Sequence, residues 1–169
     1  MENLNKITEI ASKIKLLAFD VDGVMTNGDI TYDENGVEYK TFNAKDGHGL
    51  VCAQKEGLIT AIITARCNGT VKHRAENLKI NELYQGQKFK LPALEEIMKK
   101  YNLTFEQVSY MGDDLPDICI LEKVGLKCCP NDAVDKVKNI CNFVATKNGG
   151  KGAVRELTDF ILSAQNKMY

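Results

Sequence analysis

The sequence predicts a three-layer α/β sandwich around a parallel sheet, and three observations carry that prediction. Short runs that are apolar throughout recur along the 169 residues, as strands covered on both faces require. Amphipathic helical stretches separate them, two closing at Gly57 and Gly125, residues suited to the position just past a helix. A strand–helix–strand series crosses over right-handedly and covers both faces of its sheet.

The elements follow in chain order. Leu16-Leu17-Ala18-Phe19 is the first strand and ends at Asp20. A β-hairpin at about 29–41 comes next: Ile30, Tyr32, Val37 and Tyr39 alternate with polar residues around Asn35-Gly36, the strongest short hairpin signal. Two strands have no second layer over their apolar face, which predicts that another subunit covers it. A helix over 49–56 leads to the strand Leu58 to Ile63, which ends at Thr64. A helix over Thr70 to Leu78, a weak strand at Leu83-Tyr84 and a helix from Leu91 to Tyr101, with Pro92 near its start, follow. Thr104 and Gln107 form a capping box on one turn, because the strand Val108 to Met111 begins at once and ends at Gly112-Asp113-Asp114. A helix over 116–124, a strand at Leu126 to Cys129, a helix over 133–140 capped by Asn131 or Asp132, and a strand at 143–145 come next. The last helix, 153–165, sets Val154, Leu157, Ile161 and Ala164 at core-facing spacing. This is a Rossmann-like order, and residues 1–169 read as a single domain without linker or repeat.

Composition narrows the chemistry. With 22 basic and 23 acidic side chains the net charge is −1, which gives no basic stripe for nucleic acid. No run approaches the ~18 apolar residues of a membrane span. Residues 1–15 are polar and charged and have no apolar leader core, so a cytoplasmic protein with reduced thiols is expected; its six cysteines contain no C-x-x-C. Only Ser12, Ser109 and Ser163 are serines and only His48 and His73 are histidines, too few for a Ser-His-Asp hydrolase or a His-rich zinc site. Aspartate is abundant: there are eleven.

Five of them fall at strand ends. In open α/β sheets ligands bind beyond the carboxyl ends of the strands, and those ends carry Asp20-Val21-Asp22-Gly23, Thr64-Ala65-Arg66 and Gly112-Asp113-Asp114-Leu115-Pro116-Asp117. Such a cluster repels itself unless a cation offsets it, and hard oxygen ligands suit Mg²⁺. One isolated aspartate is more often a cap or turn residue, and Asp117 beside Pro116 fits that reading; convergence of three strand ends does not. Asp20 and Asp22 stand two apart, so both side chains point the same way; a carboxylate can attack phosphorus, and a second carboxyl beside it can move protons. Thr64 offers a hydroxyl to a phosphate oxygen, and Lys90 neutralises phosphate charge, although a strand-end threonine and a solvated lysine are the plain alternatives.

The order D-x-D-G, strand-end Thr, Lys and G-D-D-x-x-D resembles the haloacid dehalogenase superfamily of phosphohydrolases. Phe42-Asn43-Ala44-Lys45-Asp46-Gly47, Gln85-Gly86-Gln87 and Gly149 to Glu156 extend the resemblance, from Lys15 onward, to its branch of phosphatases acting on phosphorylated sugar acids. The resemblance implies Asp20 as nucleophile, Asp22 as general acid and base, and Thr64 and Lys90 on the transferred phosphoryl. It implies Mg²⁺ on the Asp20 and Asp113 carboxylates and the Asp22 carbonyl, with Asp117 ordering the shell. It also implies a homotetramer without a large cap domain, in which hairpins pack together and a neighbouring chain helps close each site. Substrate contacts map onto Asn43, Lys45, Asp46, Gly47, Arg66 and Arg74. Two positions depart from the branch's pattern: Lys45 stands where Arg is usual, and Ala65 where Gly is usual. Nine-carbon acids such as N-acylneuraminate 9-phosphate are the alternative substrates. A phospho-accepting receiver domain is the rival class, but it keeps its acidic pair and its acceptor Asp on different strands.

Overall fold

The computed structural model describes residues 2–167. Strands are β1 (Leu16–Phe19), β2 (Thr31–Tyr32), β3 (Glu38–Tyr39), β4 (Ile59–Ile63), β5 (Glu82–Tyr84), β6 (Val108–Met111), β7 (Leu126–Cys129) and β8 (Phe143–Val144). Helices are α1 (Glu2–Ser12), α2 (Ala44–Lys55), α3 (Gly69–Leu78), α4 (Lys90–Tyr101), α5 (Ile118–Leu121), α6 (Asp135–Lys138) and α7 (Ala153–Ala164). A parallel six-stranded sheet runs in the order β5-β4-β1-β6-β7-β8, and β2-β3 form a separate hairpin.

All four residues of β1 are buried, because the strand is sandwiched. Leu17 and Phe19 pack with Ala11, Leu50, Val71, Ala75, Leu157 and Ile161 from α1, α2, α3 and α7. Leu16 and Ala18 face the opposite way, onto Leu94, Ile97, Ile120 and Val137 from α4, α5 and α6. Period-2 alternation along one strand thus splits the core into two halves. The chain leaves β1 toward β4 and β5, then returns on its other side as β6, β7 and β8. The crevice at that reversal is where α/β sheets hold ligands.

Several boundaries differ from expectation for identifiable reasons. Helix α1 was not expected; Ile7, Ile10 and Ala11, with Ile14 just past its end, bring it against the core. Helix α2 starts at Ala44, five residues ahead of Gly49, because Asn43 caps it by accepting from the Lys45 amide at 2.8 Å. The 116–124 segment opens as a 3₁₀ turn, Leu115–Asp117, capped by Asp114. Helix α6 is not capped by Asn131 or Asp132: the Asn131 amide donates to the Lys147 carbonyl at 2.9 Å and Asp132 accepts from the Gly149 amide at 2.9 Å, so both residues bind the loop instead. The capping box of Thr104 and Gln107 forms as read, on a single turn.

The hairpin differs in register. A two-residue Asn-Gly turn needs positive φ at both positions and would pair Tyr32 with Tyr39. Only Gly36 has positive φ, +79°, and Tyr32 pairs with Glu38 while Thr31 pairs with Tyr39. The Asp33 carboxylate sets this turn by accepting from the Asn35 and Val37 amides at 2.9 and 2.8 Å. The four apolar side chains, all about half exposed, therefore do not share one face as the alternation suggested.

Candidate active site

Three strand ends converge. After β1 the Asp20 amide donates to the Met111 carbonyl at 3.0 Å, and the Val21 carbonyl accepts from the amides of Val24, Met25 and Thr26. Gly23 makes the turn at φ +83°, where a Cβ would sit 2.1 Å from Asp113 Oδ2, so only glycine fits. Thr64 closes β4 and is buried, and Asp113 follows β6. Asp20, Asp22, Thr64, Ala65, Arg66, Lys90, Asp113, Asp114 and Asp117 line one cavity of about 270 Å³.

At its floor is a buried lysine. Lys90, in the first turn of α4, has a side chain only 2% exposed; its Nζ lies 2.8 Å from Asp20 Oδ2 and 2.7 Å from Asp117 Oδ1. Burial pushes its ammonium down, yet Asp20 and Asp117 together carry it above the usual lysine value. Asp117 Oδ1 also accepts from the Tyr110 hydroxyl at 2.7 Å, and Oδ2 accepts from the Asp113 and Asp114 amides at 3.0 and 3.3 Å. Asp117 is thereby saturated with donors and orders the loop that carries Asp113. The phenol of Tyr110 is pushed up by burial and then by Asp117 and Asp20.

The remaining carboxylates are short of positive charge. Ligand atoms of Asp20, Asp113 and Asp117 lie within 4.8 Å of one another. Burial, then Asp117, push Asp20 up to about 6 against the pull of Lys90. Burial, then Asp117, Asp20 and Asp114, push Asp113 up to about 8. Asp20 Oδ1 is buried with no hydrogen-bond partner, an arrangement that is costly unless something positive meets it. A hard divalent cation fits this donor set of carboxylate oxygens. Asp20 and Asp113 would hold it.

A second charge network comes from the hairpin. Lys40 pairs with Asp22 Oδ1, and lies 2.8 Å from Glu38 Oε1. Arg66 pairs with Glu38 Oε2, donates to the Tyr32 hydroxyl at 3.2 Å and lies 3.8 Å from Asp22 Oδ2. Hydrogen bonds from Lys40 and Arg66 overcome partial burial and hold Glu38 down to about 2.

The other residues singled out in the sequence lie elsewhere. Asn43 is a helix cap whose Nδ2 donates to the Gly150 carbonyl at 3.2 Å. Asp46 is buried and accepts from the Gly152 and Arg155 amides at 3.3 and 2.8 Å, which ties α2 to the start of α7; burial raises its carboxyl above the usual range. Arg74 donates to the Asn43 carbonyl at 3.0 Å and stacks 5.6 Å above the Phe42 ring. Gly47 leaves it room, since a Cβ there would meet the Arg74 guanidinium at 2.3 Å. Lys45 is exposed and lines a different cavity with Lys151 and Arg155. None of these five lines the Asp20 cavity. Conversely Tyr110, Lys40, Glu38 and Tyr32 were not foreseen. Their spacing along the hairpin (Glu38, Lys40) was the one local signal available.

Comparison with known proteins agrees with this geometry. A family model described as haloacid dehalogenase-like hydrolase matches residues 53–157. The 3-deoxy-D-manno-octulosonate 8-phosphate phosphatase KdsC of Escherichia coli K12 is 43% identical over 158 residues, covering 94% of this chain and 84% of that protein. A crystal structure of the enzyme of that name from Yersinia pestis superposes with a TM-score of 0.95 at 41% identity, over 96% of this chain and 88% of that one. Its counterpart from Moraxella catarrhalis, in complex with a magnesium ion, a phosphate ion and a KDO molecule, gives 0.94 at 40% identity over 96% and 93%. Aspartates at three strand ends, a buried lysine among them and these similarities lead to one assignment: the chain belongs to the haloacid dehalogenase-like hydrolases.

Proposed function

We propose that this chain is a Mg²⁺-dependent phosphomonoesterase that releases phosphate from 3-deoxy-D-manno-octulosonate 8-phosphate. The observation that carries this is Asp20: one oxygen sits on Lys90 at 2.8 Å, the other is buried and unpartnered, and Thr64 lines the same cavity. Asp20 attacks phosphorus, the bond to the sugar oxygen breaks, and Asp22 gives that oxygen its proton. Asp22, now a carboxylate, takes a proton from water; the hydroxide attacks the aspartyl-phosphate and frees Asp20 and inorganic phosphate. Lys90 and Thr64 bind the transferred oxygens, and Arg66 at the cavity wall binds the substrate. Asp20, Asp113 and the Asp22 carbonyl would hold Mg²⁺, which would supply charge neutralisation on the phosphoryl group.

Chain 1–169 acts as one domain, in a cytoplasmic homotetramer that supplies the sugar acid for lipopolysaccharide precursors. In that assembly the 43–47 turn of one copy meets the cavity of the next: Lys45 reaches the substrate, while Asn43, Asp46, Gly47 and Arg74 shape the turn that presents it. Phosphate release across a panel of sugar phosphates tests the activity, with the eight-carbon acid 8-phosphate expected to be turned over faster than N-acylneuraminate 9-phosphate. The opposite preference overturns the substrate, and activity indifferent to EDTA overturns the metal. Light scattering should give about four times 18.8 kDa.

A further inference from the structure

We infer that Lys40 is the positioning residue for the proton-transferring Asp22: from the hairpin it holds one carboxylate oxygen and leaves the other free for the leaving-group oxygen. The inference rests on the proton-transfer role of Asp22 in the reaction proposed above.

Nothing in its own backbone fixes the Asp22 side chain. The turn's hydrogen bonds end on the Val21 carbonyl, and the residue beyond is a glycine at positive φ. Among the described residues its carboxylate has two partners, Lys40 on Oδ1 and Arg66 Nε at 3.8 Å from Oδ2. They are unequal. The Arg66 side chain is 40% exposed, stands beyond hydrogen-bond reach of Asp22 and has its firm contact with Glu38. The Lys40 side chain is 1% exposed and that of Asp22, at the cavity wall, 22%, so their ion pair is less screened than the Arg66 contact and its loss leaves Oδ1 without its partner.

Lys40 is itself anchored. Glu38, two residues back at the start of β3, takes its ammonium at 2.8 Å and is in turn gripped by Arg66. Lys40 is not among the residues that line the 270 Å³ cavity, and its contact with that site runs through Asp22. A proton donor displaced by about 1 Å costs rate far beyond the energy of the contact that placed it.

A substitution that only loosens the fold slows every substrate alike. Loss of a placed proton donor slows only substrates whose leaving group needs a proton. A sugar alkoxide does; the p-nitrophenolate of p-nitrophenyl phosphate leaves without one. Values of kcat/KM report the first, phosphoryl-accepting step, and their ratio for two substrates in one preparation cancels the folded fraction. In Lys40→Met the ratio of sugar-phosphate to p-nitrophenyl phosphate kcat/KM should fall about 30-fold or more, and in Lys40→Arg it should return to within about threefold of the parent. Equal losses on both substrates, or no loss, would overturn the inference. Asp22→Asn run beside them separates the two levels. If it splits the substrates and Lys40→Met does not, only the role of Lys40 falls; if Asp22→Asn shows no split, the proton-transfer reading of Asp22 falls and takes this one with it.

Discussion

Two lysines organise the strand-end rim, and they do it with opposite charge balance. Around Lys90 stand Asp20, Asp113 and Asp117, three carboxylates on one ammonium. Around Lys40 stand Asp22 and Glu38, with Arg66 beside them, two carboxylates against two cations. Both lysine side chains are almost wholly buried, so burial does not separate the networks. Two carboxylates on one side and one on the other do: near Lys90, Asp20 is pushed up to about 6 and Asp113 to about 8, whereas at Lys40 Glu38 is held down to about 2. The first network is built for a cation it must recruit. The second matches its two carboxylates with two cations of the chain and serves geometry.

The sharpest way to break this contrast is at Asp20, the nucleophile of the proposed reaction. Asp20→Asn should lower phosphate release by at least about 10⁴-fold; a variant near parental turnover would show that the Lys90 network does not hold the attacking group. Next in size is Lys90→Met, which removes the one cation that the described residues place there and leaves buried carboxylates facing one another. Denaturant unfolding should report a loss of about 3–5 kcal/mol in metal-free protein, with activity falling alongside.

The pH response separates the networks by sign. Asp113 keeps its proton in the folded state up to about 8 but loses it near 4 when unfolded. Metal-free protein should therefore lose stability as pH rises through that window, the folded state binding more protons there. Mg²⁺ at about 100 times its Kd should add about 2.7 kcal/mol, roughly 5–10 °C in the melting midpoint for a chain of this length. At one fixed Mg²⁺ concentration the gain should be larger at pH 8 than at pH 6, because fewer protons must be displaced; an equal gain would detach the metal from these carboxylates. Glu38 predicts the reverse trend, stability lost as pH falls from its ordinary value near 4.5 toward 2. Glu38→Gln should flatten that acid limb in thermal melts and reduce turnover by less than about tenfold, the smallest of these effects.

Much of the rim was legible because it is local. Asp20, Thr64 and Asp113 each follow an apolar run, and a strand end states where its next side chain goes. That the sheet is covered on both faces was equally readable, from strand runs that are apolar throughout. What escaped depends on contacts distant in sequence. Tyr110 reads as one more apolar residue of β6 until its hydroxyl is found on Asp117. Lys40 reads as a solvated charge until the hairpin folds it onto Asp22, 18 residues back. Asn43 and Asp46 show the converse: a polar side chain near a helix start looks the same in sequence whether it will bind a ligand or backbone amides, and here Asn43 accepts from its own helix and Asp46 from the start of α7. Helix α1 was missed although Ile7, Ile10 and Ala11 have helical spacing, since a charged terminal stretch hides a narrow apolar stripe.

The turn between β2 and β3 is a point of local frustration. Asn35-Gly36 by itself favours a tighter loop, and in that alternative Tyr39 would take the place opposite Tyr32, turning Glu38 and Lys40 to the face now held by Thr31 and Tyr39. The observed turn survives because Asp33 spends its carboxylate on two backbone amides. A change that improves the hairpin by ordinary rules, or Asp33→Ala, which releases those amides, would thus favour a better-formed ribbon that no longer reaches Asp22. Local preference and catalytic need pull this turn in opposite directions, and one aspartate far from the chemistry decides between them.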